Sequence, residues 1–170
     1  TAEPAYLIIS REAIQFNTGS DHALDVVDFV RLAKEEGIEQ LESAVALYQG
    51  EFLDGFSASE AAPFEDWARL EAEQLHRAYR ELLHHLAGVL ENQGKYDRAL
   101  AYARRQVECE AWDESAQRQV MRLLALGGRR GEAMVQYDAC CKVLELELRT
   151  KPAVETVLLY EQIRDGELRA

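Results

Sequence analysis

An internal repeat of 34 residues constrains the fold of this chain more than any other feature of its sequence. Residues 94–100 (GKYDRAL) align with residues 128–134 (GRRGEAM). Apolar positions agree at the same offset: Leu86 with Val120, Val89 with Leu123, Leu90 with Leu124, and Val107 with Cys141. Units of this length, with a glycine turn and a small alanine on the second helix, bury their apolar faces only by stacking. We therefore predict paired helices in a stacked array.

The period and the turn are typical of tetratricopeptide repeats. Ala99 and Ala133 leave room for the paired helix to approach closely. Two repeats cannot bury a continuous core, so we expect upstream helices, and a last helix opened by Pro152, to extend the stack. Pro63 is well placed in the first turn of a long upstream helix without a breaker before Gly94. The predicted fold class is all-α, a tetratricopeptide-like helical repeat array.

The apolar stripe of the long upstream helix includes Trp67. We expect this side chain to be buried, so truncation to alanine should cost about 3–5 kcal/mol.

The first residues follow a different pattern from the helical part. Residues 6–9 (YLII) and 13–16 (AIQF) are short apolar runs separated by polar residues 10–12. This alternation predicts a β-hairpin. A lone hairpin is marginally stable in water, so it should either pack on the helices or belong to another domain.

The charge balance excludes several classes of partner. The chain has 19 Lys and Arg against 31 Asp and Glu, which gives a net charge of −12 at pH 7. Binding to a phosphate backbone needs clustered cations, so we expect no direct nucleic-acid binding and no anionic membrane surface. No apolar run approaches the ~20 residues of a membrane helix. Three cysteines, two of them adjacent, and no secretion signal predict a cytoplasmic location.

The sequence does not support an enzyme, a cofactor or a metal site. His76 and His84 lie eight residues apart, and no HExxH pattern is present. Residues 127–131 (GGRRG) lack the ending of a phosphate-binding loop, and the repeat explains them as a turn between helices. The repeat also places Cys140 at a small-residue core position, which favours packing over metal binding.

One helix face carries candidate partner-binding residues. Arg118 and Arg122 lie four residues apart on the first helix of the second repeat, a face that lines the groove of tetratricopeptide stacks. Two arginines there could clamp a partner's carboxylate through bidentate hydrogen bonds. The alternative is that they pair with Glu114 or other surface acids. The matching face of the previous repeat carries Glu81, His84, Glu91 and Asn92.

A longer series of motifs resembles the bacterial transcriptional activator domain of actinomycete antibiotic-regulatory activators and of signal-dependent ATPase regulators. The series covers about residues 24–166 in order. Its segments are residues 41–56 (LESAVALYQGEFLDGF), 64–67 (FEDW), 99–106 (ALAYARRQ), 113–126 (DESAQRQVMRLLAL) and 159–163 (LYEQI). At Arg149 the family typically has a glycine that ends a helix, so we expect a different turn there.

The resemblance implies a domain organisation. In that family the activator domain follows a winged helix-turn-helix domain. Residues 1–20 would then be the closing hairpin, or wing, of that upstream domain, and residues 21–170 would be the activator domain. DNA would be read by the upstream domain and not by these residues.

The resemblance also implies a function in protein–protein interaction and oligomerisation. The domain would couple a DNA-binding domain to RNA polymerase or to a sensor or ATPase domain. The expected partners are RNA polymerase, a second copy in a homodimer, or a neighbouring domain of the same regulator. The alternative is a tetratricopeptide-type scaffold or chaperone adaptor unrelated to transcription.

Overall fold

The computed structural model describes residues 6–58 and 61–168. A two-stranded hairpin precedes seven α-helices, which confirms the all-α class and the predicted hairpin. The elements are β1 (Leu7–Ile9), β2 (Ile14–Phe16), α1 (Asp25–Leu32), α2 (Ile38–Leu47), α3 (Ala62–Asn92), α4 (Tyr96–Cys109), α5 (Glu114–Leu126), α6 (Arg130–Val143) and α7 (Val154–Asp165). A π-helical turn, Leu144–Leu148, continues α6.

The structure repeats with the period seen in the sequence. Helices α4 and α6 have the same length and begin 34 residues apart. The turns before them carry Gly94 and Gly128, with φ of 68° and 77°, a left-handed conformation that glycine adopts without steric cost. In both turns the residue after the glycine donates its N–H to a carbonyl five residues earlier, at 2.9 Å and 2.8 Å. The same turn is therefore built twice.

The core runs along the second half of α3 and between the helix pairs that follow it. Helix α3 has 31 residues and carries Pro63 in its first turn, as predicted. Ala99 and Ala133 are fully buried, so α4 and α6 pack closely on their neighbours. Many of the fully buried side chains of the core are leucines, among them Leu41, Leu83, Leu86, Leu90, Leu123 and Leu124.

The structure excludes one of the two alternatives for the hairpin, and the expected burial of Trp67 is wrong. The described hairpin residues expose their large apolar side chains, and none of these joins the helical core. The hairpin therefore does not pack on the helices. Trp67 is 47% exposed, because it lies on the first half of α3, where it contacts Phe52 and Phe64 at the surface.

The turn at Arg149 keeps the left-handed conformation that glycine would favour. Arg149 has φ 53° and ψ 38° and ends the π-helical turn after α6. The expectation of a different turn there is wrong, and an arginine adopts a conformation that costs energy for residues with a Cβ. Across the described part of the chain, no helix combines the length and the apolar character needed to cross a membrane.

Candidate functional site

The six predicted partner-binding residues lie on α3 and α5, the first helices of the two repeats. Side-chain hydrogen bonds join α3 to α5 and α5 to α7, so the three helices share one surface. We call this surface, formed by α3, α5 and α7, the first-helix face.

Arg122 forms an ion pair with Glu91 across the first-helix face. Its Nε lies 2.6 Å from Oε1 of Glu91, and its Nη2 lies 3.0 Å from Oε2, a bidentate geometry. The hydrogen bond with Glu91 raises the pKa of Arg122 above its usual value, against the opposing effect of burial. Two of the predicted residues thus bind each other. The pairing is with an acid of the same chain, as in the alternative hypothesis, but the acid is Glu91, which is only 15% exposed, and not Glu114.

Arg118 takes part in the cap of the last helix. Its Nη1 donates to Oγ1 of Thr156 at 2.9 Å, and the Thr156 hydroxyl donates to Oε2 of Glu114 at 2.5 Å. The same Glu114 oxygen accepts the N–H of Ala153, the N-cap residue of α7, at 2.8 Å. A carboxylate at a helix N-terminus satisfies an unpaired N–H and complements the helix dipole. Arg118 therefore supports the contact between α5 and α7.

The other three predicted residues are exposed and have no side-chain partner among the described residues. Glu81 and His84 line a polar pocket between α3, α4 and the start of α5, with a volume of about 260 Å³. Asn92 is the last residue of α3 and lies apart from that pocket. The structure therefore brings Glu81 and His84 to one pocket and Glu91 and Arg122 into one ion pair.

Sequence reasoning missed Arg80 and Gln106, which form the inner part of this pocket. The Arg80 guanidinium binds Glu110 and lies 3.0 Å from Oδ2 of Asp113. The Arg80 Nε and the Gln106 Oε1 are buried and have no hydrogen-bond partner among the described residues. A signal did exist: Gln106 occupies the position of Cys140 in the repeat, so a polar amide stands where the second repeat has a core residue.

A second exposed surface lies around the first turns of α3. The rings of Phe56, Phe64, Trp67 and Phe52 form a chain with centroid separations of 5.8, 5.5 and 5.7 Å. We call these four residues the aromatic patch. Phe56 is more than half exposed, and exposed aromatic clusters are typical of protein contact surfaces.

The first-helix face offers groups for recognition, and the buried thiol of Cys140 adds no reactive group to it. Cys140 is fully buried, as predicted, and burial raises the pKa of its thiol to about 12, so the thiol stays protonated and unreactive at neutral pH. Within the residues that the structure describes, no three His, Cys, Asp or Glu side chains form a group able to hold a metal ion. What the first-helix face presents is a set of hydrogen-bond donors, acceptors and charges.

A comparison with protein families gives one finding that covers most of the chain. The sequence model of a family described as bacterial transcriptional activator domain matches residues 28–164. No match was found among curated proteins.

Proposed function

The chain belongs to the bacterial transcriptional activator domain family and so has a role in bacterial transcriptional activation, in which we propose that it acts by binding other proteins. This family consists of regulators and not of enzymes. In this proposal it is an interaction and oligomerisation domain of a cytoplasmic regulator. It couples a DNA-binding domain to RNA polymerase, to a second copy, or to a sensor or ATPase domain. The regulators concerned are of the actinomycete antibiotic-regulatory or signal-dependent ATPase type.

The observation that carries this proposal is the geometry of the first-helix face. The Arg122–Glu91 pair and the Glu114–Ala153 hydrogen bond hold three helices side by side. Beside them, Glu81 and His84 keep their side chains exposed and without partners within the described part of the chain. A surface that is already fixed loses little conformational entropy when a partner binds, which favours recognition.

The hairpin supports the proposed division of the chain. We assign residues 1–20 to the wing of an upstream winged helix-turn-helix domain and residues 21–170 to the activator domain. Large apolar side chains on the described hairpin are exposed to solvent, a pattern typical of surfaces that another domain or partner covers. DNA would then be read by the upstream domain, in keeping with the net charge of −12 on this chain.

Partner binding must change the state of the regulator if it is to control transcription. A ligand shifts a two-state equilibrium only when it binds the two states with different affinity. In the proposed mechanism, the two states are two orientations of the DNA-binding domain. The partner binds the first-helix face with higher affinity in one of these orientations than in the other. The bound partner thereby favours that orientation.

The test measures binding of purified RNA polymerase holoenzyme to the immobilised chain, with sedimentation of the chain alone to detect dimers. Glu81→Lys on α3 is the test variant and Asp138→Lys on α6 is its control, since both side chains are exposed and both changes add the same charge. We expect Glu81→Lys to weaken polymerase binding or dimerisation about tenfold or more. Equal effects of the two variants would exclude the first-helix face. Binding of chaperones, with neither polymerase binding nor dimers, would favour the scaffold alternative.

A further inference from the structure

We propose that the pocket between α3, α4 and α5 binds the backbone N–H and carbonyl of one residue in a partner segment of extended conformation. This pocket, here called the Gln106 pocket, is lined among others by Arg77, Arg80, Glu81, His84, Gln106 and Asp113. The proposal deepens the proposed function, because it names the chemical group that this part of the first-helix face recognises.

Two buried polar atoms in the Gln106 pocket lack partners in the described structure. Gln106 is only 5% exposed, and its Oε1 accepts no hydrogen bond. The Arg80 Nε, a donor, is also buried and unpaired, although the two Nη atoms of Arg80 bind Glu110 and Asp113. Buried polar atoms without a partner are rare in native proteins because their desolvation is not compensated. A donor and an acceptor left open in one pocket point to a missing ligand.

Other buried glutamines of this chain show how such side chains are usually satisfied. The Nε2 of Gln117 donates to the carbonyl of Ala111 at 2.7 Å, and its Oε1 accepts from Nε2 of Gln136 at 2.6 Å. Gln119 also has an unpaired Oε1, but its Nε2 is anchored on the carbonyl of His84. Gln106 differs, since its amide lines a pocket and forms no hydrogen bond with a described residue.

Comparison of the two repeats indicates that the fold does not require a glutamine at position 106. The equivalent residue of the second repeat is Cys140, which is small, apolar and fully buried. A polar amide at this position carries a desolvation cost that an apolar residue would avoid. Its presence is explained if a ligand supplies the missing hydrogen bonds.

The backbone of an extended residue fits the two open atoms better than an anion. In an extended segment, the backbone N–H and carbonyl of one residue point to the same side, whereas those of one trans peptide unit point in opposite directions. The N–H of such a residue can donate to the Gln106 Oε1, and the carbonyl of the same residue can accept from the Arg80 Nε. A carboxylate offers acceptors only and would leave the Gln106 Oε1 unpaired. The charge of Arg80 is moreover already balanced by Glu110 and Asp113, which lowers the attraction for an anion.

The test is an NMR titration of the isotope-labelled full chain with the blocked tripeptide N-acetyl-Gly-Ala-Gly-amide. The resonances observed are the Gln106 side-chain amide and the Arg80 Nε–H. We expect saturable shifts of both signals with the peptide, and no equivalent shifts with acetate, which carries acceptors only. Gln106→Leu should weaken peptide binding about tenfold or more, the loss expected for one hydrogen bond to a buried group.

Gln119→Leu serves as the matched control, because this glutamine is as buried as Gln106 but does not line the pocket. Its affinity for the tripeptide should equal that of the unchanged chain. Gln106→Leu should keep or raise the melting temperature, since it removes an unpaired acceptor, so lost binding cannot be ascribed to unfolding.

Three results would overturn the proposal: no saturable shift at Arg80 or Gln106, equal responses to acetate and to the peptide, or unchanged affinity in Gln106→Leu. These results are distinguishable from failure of the proposed function. If the proposed function fails, polymerase binding and dimerisation are absent although the tripeptide still binds. If only the pocket proposal fails, the tripeptide does not bind, although polymerase binding or dimerisation still occurs through another part of the first-helix face.

Discussion

Arg122 on α5 donates two hydrogen bonds to the carboxylate of Glu91 on α3, at 2.6 Å and 3.0 Å, although the two residues are 31 positions apart in the chain. The pair joins the first helix of one repeat to the first helix of the next. The sequence predicts both residues as separate contacts for a partner. In the structure the two residues instead form an ion pair with each other, so a substitution at either residue affects the stacking of the repeats.

We expect Arg122→Ala to lower the free energy of unfolding by about 1–2 kcal/mol, because it leaves Glu91, only 15% exposed, without its partner. Urea denaturation followed by circular dichroism measures this loss. The double variant Glu91→Ala with Arg122→Ala should lose less than the sum of the single variants, since the two residues interact directly. Strict additivity would show that the ion pair does not stabilise the fold.

Reversal of Arg122 to glutamate is consequently a poor test of partner binding. It would place two carboxylates side by side between α3 and α5. Lost binding in such a variant could arise from the disturbed fold. Glu81, which is exposed and forms no ion pair with a described residue, is the better position for a charge reversal on the first-helix face.

Trp67→Ala should destabilise the chain by about 1 kcal/mol, the scale of lost aromatic pairing. This is less than the 3–5 kcal/mol that burial of the side chain would predict. The indole contacts the rings of Phe52 and Phe64 and is 47% exposed. Leu86→Ala, at a fully buried position of the same helix, should cost 2–5 kcal/mol and serves as the reference. Thermal melts of the two variants should therefore differ clearly, and equal losses would contradict the exposed position of Trp67.

Local signals explain which parts of the fold could be predicted from sequence. The turns at Gly94 and Gly128 depend on a backbone conformation that glycine adopts easily, and the helix periodicity depends on neighbouring residues. The error at Trp67 has a physical cause. Helix α3 is more than twice as long as α4, so its apolar stripe extends beyond the helix that buries its second half.

The candidate site was less predictable because it depends on contacts between distant residues. The periodicity places Arg118 and Arg122 on the same helix face, but it cannot show that Thr156 and Glu91 already accept their hydrogen bonds. Likewise, the repeat alignment marks Gln106 as unusual, but only the structure shows that its amide lines a pocket.

Arg149→Gly should raise the free energy of unfolding by about 0.5–1 kcal/mol. The left-handed conformation costs an L-residue about 1–2 kcal/mol, and the greater freedom of glycine in the unfolded chain offsets part of the gain. For a chain of this size, the melting temperature should rise by about 2–4 °C per kcal/mol. Gly128→Ala is the inverse control, because Gly128 has φ 77° and should lose stability on substitution. A lower melting temperature for Arg149→Gly would show that the arginine side chain stabilises this turn.

Glu42 on α2 and Tyr102 on α4 form a hydrogen bond whose contribution to stability should depend on pH. The Tyr102 hydroxyl donates to Oε1 of Glu42 at 2.8 Å, and Arg98 donates to the same oxygen. The hydrogen bond from Tyr102, with help from Arg98, lowers the pKa of Glu42 below its usual value of 4.5. Burial first, and then the bond to Glu42, raises the pKa of Tyr102 from 10 to about 12.

The two shifts define the pH range in which Tyr102→Phe should be most harmful. The lowered pKa of Glu42 contributes stability above pH 4.5, and this stability is lost as the pH falls through the folded-state pKa. The raised pKa of Tyr102 contributes stability below pH 10, and this stability is lost between pH 10 and 12. At pH 7 we expect Tyr102→Phe to cost about 1–2 kcal/mol. Urea denaturation from pH 3 to pH 11 should show this difference shrinking at both ends. A constant difference over the whole range would mean that Tyr102 stabilises the fold by packing alone, because only the hydrogen bond responds to the charge of either group.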